Sequence, residues 1–425
     1  ALPISTRRTA AVFGWCAGTG HFLLALSWLV EPFLVDVARH GWMAPFALFF
    51  MAGGLALFWA VAFAVSAGAG PLALVAALAL AEYLRSVLFT GFPWALAGHV
   101  WIDTPVAQLA RLVGAHGLTA LTLGLAALPV LLPGRVALRL GAAAATAAAV
   151  SGGAAVWDRS TPAPAPDPAA PVVRIVQPNA PQDEKWVPDR AEMFFSRAVD
   201  FTGAGPAPDL VVWPETSVPA FLSQAGPALD QVAGAARGAP AVVGIQRQDW
   251  PRFWNSLAVV DDDGAVADVY DKAHLVPFGE YVPFGEFMAR YGIHGLAANQ
   301  GGGYTAGPGG RTVEIPGIGP ALPLICYEGI FAEEVRAVAP RARLMVLITN
   351  DAWFGTVSGP YQHLAQARLR AIEMGLPMVR AANTGVSAVI DARGGLVTTI
   401  PLGEAGWADA ALPPALPPPL YARMG

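Results

Sequence analysis

The chain contains 425 residues, of which 55% are hydrophobic and only 13% are charged, whereas about 25% of the residues in soluble globular proteins carry a charge. An ordinary soluble enzyme is therefore a poor interpretation of this composition. The formal net charge of −5 divides into +3 over residues 1–160 and −8 over residues 161–425, so the sequence lacks the basic surface that nucleic-acid binding requires.

Five apolar runs in the first half predict membrane-spanning helices. One bilayer crossing needs roughly 20 apolar residues, and residues 40–81, which contain no Asp, Glu, Lys or Arg, are long enough for two crossings separated near residues 68–71. The first run is not a signal peptide, because no polar mature domain follows it. The first half is interpreted as a polytopic α-helical membrane domain. Its predicted spans are residues 9–30, 43–66, 71–89, 107–132 and 137–157.

The placement of arginines predicts which side of the membrane the second half occupies. Arg7 and Arg8 precede the first span, and Arg135 and Arg139 lie between the fourth and fifth spans, on the same side. Short loops rich in Lys and Arg favour the cytoplasmic side. We therefore expect the residues after Trp157 to lie outside the cytoplasm.

A proline-rich segment, residues 160–171, separates the membrane domain (residues 1–159) from a second domain of different composition. Such a segment is typical of a stiff linker. Beyond it, β-branched runs alternate with helical patterns, which predicts an α/β sheet domain over residues 172–412. The predicted strands are 172–176, 210–213, 241–245, 256–260, 321–325, 344–349 and 386–390, and the predicted helices are 188–201, 227–237, 331–338 and 359–374.

The cysteines and lysines are few. Cys16 and Cys326 are too far apart for a disulfide framework or a clustered zinc site, so at least one thiol is free for chemistry. Only two residues of the 26 Lys and Arg are lysines, Lys185 and Lys272. Because arginine carries the positive charge at nearly all other positions, a lysine at either of these two suggests a specific chemical role.

Three predicted strands end in a polar side chain that the packing of a buried sheet would not select. Glu215 follows a Leu-Val-Val-Trp-Pro run, Lys272 follows Val-Tyr-Asp, and Cys326 follows Leu-Pro-Leu-Ile. Ligands bind at the carboxyl ends of strands in open α/β sheets, and a carboxylate and an ammonium beside a thiol can generate a thiolate nucleophile. The structural alternatives are a partly exposed loop carboxylate, a solvent-facing lysine and an inert buried thiol. Cys16 lies within a predicted span and has no such base nearby.

Other ionisable residues are interpreted more simply. Pro-Phe-Gly-Glu occurs twice, ending at Glu280 and at Glu286, so the spacing does not decide which carboxylate faces the site. His274 is interpreted as a structural, hydrogen-bonding histidine. Glu82 and Arg85 lie three residues apart within one predicted span, and we expect them to pair with each other.

The three strand ends together resemble a known family. Trp-Pro-Glu215, Asp-Lys272-Ala-His-Leu-Val-Pro-Phe-Gly-Glu and Ile-Cys326-Tyr-Glu, in this order, resemble the carbon-nitrogen hydrolase (nitrilase) superfamily. With Thr-Gly-Phe-Pro-Trp94 in the membrane domain and Asn-Asp-Ala-Trp-Phe-Gly355 later, the whole chain resembles the apolipoprotein N-acyltransferase family. The resemblance implies a four-layer αββα nitrilase-like domain that faces the periplasm, on a multi-pass protein of the bacterial inner membrane.

The resemblance also implies a role for each site residue. Cys326 would be the nucleophile, Glu215 the general base, and Lys272 the cation that stabilises a tetrahedral oxyanion. No metal or organic cofactor is implied. The expected supporting residues are Glu280, Tyr327 and Glu328.

The implied reaction is ping-pong acyl transfer. An acyl chain moves from a phospholipid, expected to be phosphatidylethanolamine, to Cys326 as a thioester, and then to the α-amine of an N-terminal S-diacylglyceryl-cysteine. The partners are a phospholipid, a diacylated apolipoprotein and the bilayer, and we expect the chain to act as a monomer. Two alternatives stay open: a membrane-tethered amidase or nitrilase-type hydrolase that passes the acyl group to water, and a transporter or scaffold, although the sequence has no matched pair of broken helices.

Aromatic residues crowd the predicted entrance to the site. We expect them to form an apolar lid or lining that admits acyl chains, with ordinary packing as the alternative for some of them. These residues are Trp213, Phe278, Phe284, Trp353 and Phe354.

The resemblance implies more transmembrane helices than the five predicted spans. Further spans are therefore expected before residue 1, and the proline-rich residues 413–425 are expected to lead to another span.

Overall fold

The computed structural model describes residues 6–162, 167–283 and 303–424. These residues divide into two compact units. The first contains the described residues before Ala163 together with Pro419–Met424, and the second contains those between Pro164 and Pro418.

The first unit is built from long helices at all five predicted positions. On α2 and α5 apolar residues surround the whole helix, which suits contact with lipid better than burial of a single face. Helix α1 packs along α2, and α2 packs along α3. The five helices are α1 (Arg7–Ala25), α2 (Ala44–Ser66), α3 (Pro71–Val87), α4 (Ala110–Leu131) and α5 (Val136–Ser160).

Among the described residues, length and hydropathy single out fewer candidate membrane spans than the five predicted positions. The described segments that are long and apolar enough to cross a membrane are Val37–Ser66, Pro105–Leu131 and Val136–Ser160. The number rises from three to four if Arg7–Ala25 and Ser27–Leu34, which meet at 67°, form one broken span. Helix α3 has only 17 residues, because Gly70 before it and Phe89 after it adopt positive φ angles that turn the chain.

The expected pairing of Glu82 with Arg85 on α3 is confirmed. Arg85 Nη2 lies 2.5 Å from Glu82 Oε2, and both side chains are buried. Arg85 Nη1 also donates to the carbonyl oxygens of Phe92 (2.5 Å) and Trp94 (2.9 Å), and Trp59 Nε1 donates to Glu82 Oε1. The ion pair therefore holds the chain that follows α3 as well as neutralising two charges inside the helical unit.

The end of the described chain belongs to the helical unit. A short helix, Leu420–Arg423, packs on α4. The ring of Tyr421 covers Gly114, whose φ is +65°, and a Cβ atom on Gly114 would lie 2.4 Å from that ring. Glycine is therefore required at this point of α4 by both conformation and space.

The second unit contains two six-stranded sheets in its described residues. The first consists of β1 (Val172–Gln177), β2 (Leu210–Val212), β3 (Ala241–Asp249), β4 (Arg252–Val260), β5 (Val266–Asp271) and β12 (Gly406–Ala411), in the order β12-β1-β2-β3-β4-β5. The second consists of β6 (Val313–Ile315), β7 (Gly319–Ile325), β8 (Leu344–Thr349), β9 (Met378–Ala382), β10 (Ser387–Ile390) and β11 (Leu396–Ile400), in the order β11-β10-β9-β8-β7-β6. Strands β1 to β3 are parallel, as are β7 to β9, and the other neighbours are antiparallel.

The two sheets pack face to face through alternate residues of their strands. Ile175 and Val212 of the first sheet and Val346 and Ile348 of the second belong to this shared core and are fully buried or nearly so. Because successive strand residues point to opposite faces, the intervening residues face outward toward helices. The buried β-branched residues therefore fix the register of both sheets.

Helices cover the outer faces of the two sheets. Helices α6 (Pro188–Gly203) and α7 (Gly226–Ala236) pack on the first sheet, where Phe195 contacts Trp213. Helices α8 (Ala332–Val338) and α9 (Gly359–Met374) form the layer on the second sheet, and α9 is buried along most of its length. The predicted αββα domain is confirmed.

Candidate active site

Three side chains from the ends of three strands lie together in the second unit. Glu215 follows β2, Lys272 follows β5 and Cys326 follows β7, and their exposed fractions are 6%, 1% and 6%. Lys272 Nζ lies 3.5 Å from Glu215 Oε1, and both charges act on the Cys326 thiol. The sequence-predicted carboxylate, ammonium and thiol therefore occupy one buried centre.

Glu215 is held by backbone contacts as well as through its carboxylate. A Cβ atom at position 244 on β3 would lie 2.6 Å from Glu215 Cα, so only glycine lets β3 approach this closely. Asn350 donates its backbone N–H to Glu215 Oε2 at 2.8 Å, and Asn255 donates from Nδ2 to Oε1 at 2.6 Å. Both carboxylate oxygens therefore have a donor in addition to the nearby ammonium.

Lys272 lies between two carboxylates. Its Nζ donates to Glu280 Oε1 at 2.9 Å, and Glu280 Oε2 accepts from the backbone N–H of Val276 at 2.8 Å. Burial opposes the charge of Lys272, but Glu280 and Glu215 outweigh it and raise the pKa of Lys272 above its ordinary value. Of the two carboxylates that spacing left open, Glu280 contacts Lys272, whereas Glu286 lies outside the described residues.

The backbone at Cys326 turns sharply at the end of β7. Its φ is +52°, in the left-handed region, and a 3-10 turn, Cys326–Ile330, begins there. Burial and the charge of Glu215 raise the pKa of the Cys326 thiol, against the lowering effect of Lys272. A thiol whose pKa is raised in this way would need a base to remove its proton before it could attack an electrophile.

Glu328 ties the Cys326 turn to the segment that carries Lys272. Its Oε2 accepts from the backbone N–H of Ile325 (2.8 Å), and its Oε1 accepts from Tyr270 Oη and from Ala273 N, both at 2.7 Å. Burial raises the pKa of Glu328, while these hydrogen bonds oppose the shift. Glu328 therefore links the ends of β5 and β7, which carry two of the three central side chains.

Tyr327 and His274 belong to an aromatic cluster beside the turn. The Tyr327 ring packs edge-on against His274 and Phe331, and the His274 ring stacks on Phe331 at 3.7 Å. His274 Nδ1 also lies 2.7 Å from Glu334 Oε1. The Tyr327 ring therefore packs within this cluster, and its backbone N–H belongs to the turn that follows the thiol.

Comparison with known proteins places the chain in a family. The carbon-nitrogen hydrolase model matches residues 172–416, and the model of the apolipoprotein N-acyltransferase N-terminal domain matches residues 1–128. An apolipoprotein N-acyltransferase of Sinorhizobium fredii is 40% identical, with 96% of this chain and 81% of that protein covered, and one of Rhodopseudomonas palustris is 39% identical, with 98% and 82% covered. The chain belongs to the apolipoprotein N-acyltransferase family. Among solved structures, an amidase from Nesterenkonia sp. is 19% identical with a TM-score of 0.41, and 61% of this chain and 94% of that chain are covered.

In this apolipoprotein N-acyltransferase family member, sequence reasoning missed a buried polar cluster behind Cys326. Asp351 Oδ1 lies 2.9 Å from His363 Nδ1 and accepts from Thr349 Oγ1 at 3.0 Å, and Asp351 Oδ2 accepts from Arg380 Nη2 at 2.5 Å. Although burial opposes it, Arg380 and His363 lower the pKa of Asp351, which keeps this carboxylate ionised. Thr349 also hydrogen-bonds the Cys326 sulfur, so the cluster reaches the thiol.

Asn255 is a second residue that the sequence analysis missed. It lies within β4 and is 3% exposed, and its Nδ2 donates to Glu215 Oε1 (2.6 Å) and to Glu280 Oε1 (3.0 Å). A signal was present, because an Asn inside the apolar run Phe-Trp-Asn-Ser-Leu-Ala-Val-Val needs buried partners.

The aromatic residues expected at the entrance have different surroundings. Trp213 is fully buried, packs on Phe195 and donates from Nε1 to Thr202 Oγ1 at 2.8 Å, so it belongs to the core between the first sheet and its helices. Phe278 is 54% exposed. Trp353 and Phe354 are half-buried in the turn after β8, and Phe284 lies outside the described residues.

Proposed function

We propose that this chain transfers an acyl chain from a phospholipid to the α-amine of an N-terminal S-diacylglyceryl-cysteine of a lipoprotein, through a thioester on Cys326. The observation that carries the proposal is the buried centre in which one thiol, one carboxylate and one ammonium from three strand ends adjoin. Cys326 is the nucleophile, Glu215 the general base and Lys272 the stabilising cation.

The first half-reaction forms the acyl-enzyme. The Cys326 sulfur attacks the ester carbonyl while Glu215 takes the thiol proton, and an S–C bond forms as the carbonyl oxygen becomes an oxyanion. Lys272 and the backbone N–H of Tyr327 stabilise that charge, an interaction whose loss typically costs roughly 2.7–4 kcal/mol. The ester C–O bond then breaks, and the proton on Glu215 passes to the departing alkoxide to give a lysophospholipid.

The second half-reaction regenerates the thiol. The neutral α-amine attacks the thioester carbonyl, Glu215 takes a proton from the attacking nitrogen, and Lys272 again stabilises the oxyanion. Collapse forms the amide N–C bond and breaks the C–S bond, and the proton on Glu215 returns to the sulfur. Both half-reactions therefore use the same three side chains, and no proton is gained or lost overall.

The helical unit would anchor the proposed acyltransferase in the membrane in which both of its substrates lie. The donor, expected to be phosphatidylethanolamine, and the acceptor both carry acyl chains dissolved in the bilayer, so anchoring the enzyme there confines the encounter to two dimensions. We propose that the helices lie in the inner membrane with the second unit in the periplasm, an orientation that the arginine distribution supports. All three central side chains come from one chain, so a monomer suffices.

Aromatic side chains are proposed to guide the acyl chain to the thiol. Trp353 and Phe354 are half-buried beside the Asn350 backbone that binds Glu215, and Phe278 is exposed two residues before Glu280. An apolar wall at this place favours a fatty acyl group over a polar amide. Phe284 is proposed for the same role, whereas the core position of Trp213 suits packing.

One experiment tests the proposal directly. Protein in detergent is incubated with phosphatidylethanolamine that carries a labelled acyl chain, and the acyl adduct is mapped by mass spectrometry, before and after addition of a diacylglyceryl peptide. We expect an adduct on Cys326 that the peptide removes as N-acyl product, no adduct in Cys326→Ser, and an unchanged adduct in Cys16→Ser. Release of free fatty acid at the same rate with and without peptide would identify a hydrolase and refute the proposal.

A further inference from the structure

One buried lysine beside the centre takes no part in the chemistry proposed above. Lys185, the second of the two lysines, is 7% exposed. Its Nζ donates to the backbone carbonyl of Glu215 at 3.0 Å and to Thr216 Oγ1 at 2.9 Å. A buried ammonium costs free energy unless it is paired or hydrogen-bonded, so its position beside Glu215 needs an explanation.

The backbone at Glu215 is constrained from two sides. On one side, β3 approaches at Gly244, whose carbonyl accepts from Ser217 N at 2.8 Å. On the other side, Lys185 donates hydrogen bonds to the Glu215 carbonyl and to the side chain of Thr216, whose φ of +46° is in the left-handed region. Such a conformation persists only where neighbouring contacts enforce it.

The segment that carries Lys185 is itself anchored at the strand ends. Its backbone bends in a turn in which Lys185 N donates to Pro181 O at 2.8 Å. Within that turn, Gln182 Oε1 accepts from Asn350 Nδ2 at 2.7 Å. Asn350 also gives its backbone N–H to the Glu215 carboxylate. Hydrogen bonds therefore hold the segment that carries Lys185, and they fix the position of its ammonium next to Glu215.

We propose that Lys185 is a positioning residue: it fixes the backbone of Glu215 and places a positive charge beside the Glu215 carboxylate, so that the general base is aimed at Cys326. It acts through Glu215 and does not touch the substrate. The inference rests on the proposed function, because it assigns Lys185 to the base of that reaction.

Lys185 adds one positive charge to the surroundings of the Glu215 carboxylate. Five charged or titratable groups lie around Glu215: Lys272 from the end of β5, Glu280, which shares Lys272 and the Asn255 amide with Glu215, Cys326 from the end of β7, Tyr304 and Lys185. Burial lowers the pKa of Lys185 to about 8, while Glu215 opposes the shift, so Lys185 is mostly charged at neutral pH. Removing this cation leaves Lys272 in place but takes one positive charge away from the surroundings of the Glu215 carboxylate.

The test compares Lys185→Met with the parent protein in steady-state N-acylation and in single-turnover acylation of Cys326 across pH. We expect kcat to fall about 10- to 100-fold with KM unchanged, as a displaced catalytic group produces. The acid limb of the acylation rate should move to higher pH by roughly half a unit or more. If Lys185 only stabilised the fold, the acid limb of the acylation rate would stay at the same pH.

A matched control removes a cation from the same region. Arg190 is about half exposed and pairs only loosely with Glu184 at 3.5 Å, so Arg190→Met should keep the parent kcat and pH profile. An Lys185→Met protein with kcat within twofold of the parent, or with an unmoved acid limb, would overturn the proposal. An equal loss in Arg190→Met would overturn it as well.

A second variant, Thr216→Val, tests the proposal even if Lys185→Met does not fold. It keeps the lysine and the shape of residue 216 but removes one of the two oxygens that accept a hydrogen bond from Lys185. We expect its kcat to fall severalfold, and an unchanged kcat would contradict the positioning role. The two proposals fail differently: absence of any Cys326 adduct in the parent refutes the proposed function, whereas a normal adduct rate in both variants refutes only the role of Lys185.

Discussion

The Lys272 ammonium forms its shorter ion pair with Glu280, at 2.9 Å from Oε1. Glu215 is 3.5 Å away from the same nitrogen. Glu280 therefore competes with Glu215 for the attraction of the Lys272 ammonium, and the closer contact belongs to Glu280.

Glu280→Gln should lower activity by removing the closer ion pair of Lys272. With Glu280 neutral, Lys272 keeps only the 3.5 Å pair with Glu215, so the ammonium is held less firmly where it would stabilise the oxyanion. We expect kcat to drop about 100-fold, within the range typical of a lost oxyanion donor. Glu334→Gln, which removes a half-exposed carboxylate that pairs with His274, is the control and should match the parent. A parent-like kcat in Glu280→Gln would contradict this role of Glu280.

The pKa shift of Cys326 predicts how its alkylation depends on pH. Burial and Glu215 raise the pKa of Cys326, so the thiolate fraction is small at neutral pH and grows as pH rises. In a Cys16→Ser background, the rate of iodoacetamide labelling should rise roughly tenfold per unit between about pH 7 and 9. A plateau below about pH 8 would show a thiolate already formed in the resting protein and would count against the need for Glu215 as base.

Trp353→Ala tests the proposed acyl-chain guide. Trp353 is half-buried in the turn after β8, so its loss should slow acylation of Cys326 by about tenfold while shifting the thermal midpoint by no more than roughly 4 °C. Trp250→Ala is the matched control, because Trp250 is 76% exposed and its ring contacts Phe253. Parallel losses of rate and stability in Trp353→Ala would mean that this ring only packs.

The Glu82–Arg85 pair predicts a non-additive effect on stability. Arg85→Met leaves Glu82 buried without its cation and frees the carbonyls of Phe92 and Trp94, so unfolding in detergent should become easier by about 3–5 kcal/mol. Glu82→Leu should cost a similar amount. The double variant should be less destabilised than the sum of the two, as measured by thermal unfolding. Simple additivity would show that the two charges do not interact.

Much of the fold could be predicted because burial patterns are local. Strands such as β8, Leu-Met-Val-Leu-Ile-Thr, are apolar on both faces, which is typical of a strand between two layers. Strands β6, β9, β11 and β12 were missed. Of these, β9 (Met-Val-Arg-Ala-Ala) and β12 (Gly-Trp-Ala-Asp-Ala-Ala) have little β-branched character and are strands only through their neighbours.

The central residues of the site could be predicted because each interrupts an apolar strand end. Spacing could not choose between Glu280 and Glu286, since the loop path decides which carboxylate reaches Lys272. Nor could it place Lys185 beside Glu215, because that contact joins a turn before α6 to the end of β2. Contacts of this kind depend on tertiary packing and leave no local periodicity.

The φ of +52° at Cys326 has a consequence for any change at that position. A side chain with a β-carbon is disfavoured in this conformation, which glycine adopts freely, and such residues cost of order 1–3 kcal/mol. The positive φ therefore lowers the stability of the protein at the position of the proposed nucleophile. Replacing Cys326 with glycine would relieve that backbone strain but, in the proposed mechanism, would abolish acyl transfer, so stability and activity make opposite demands on this residue.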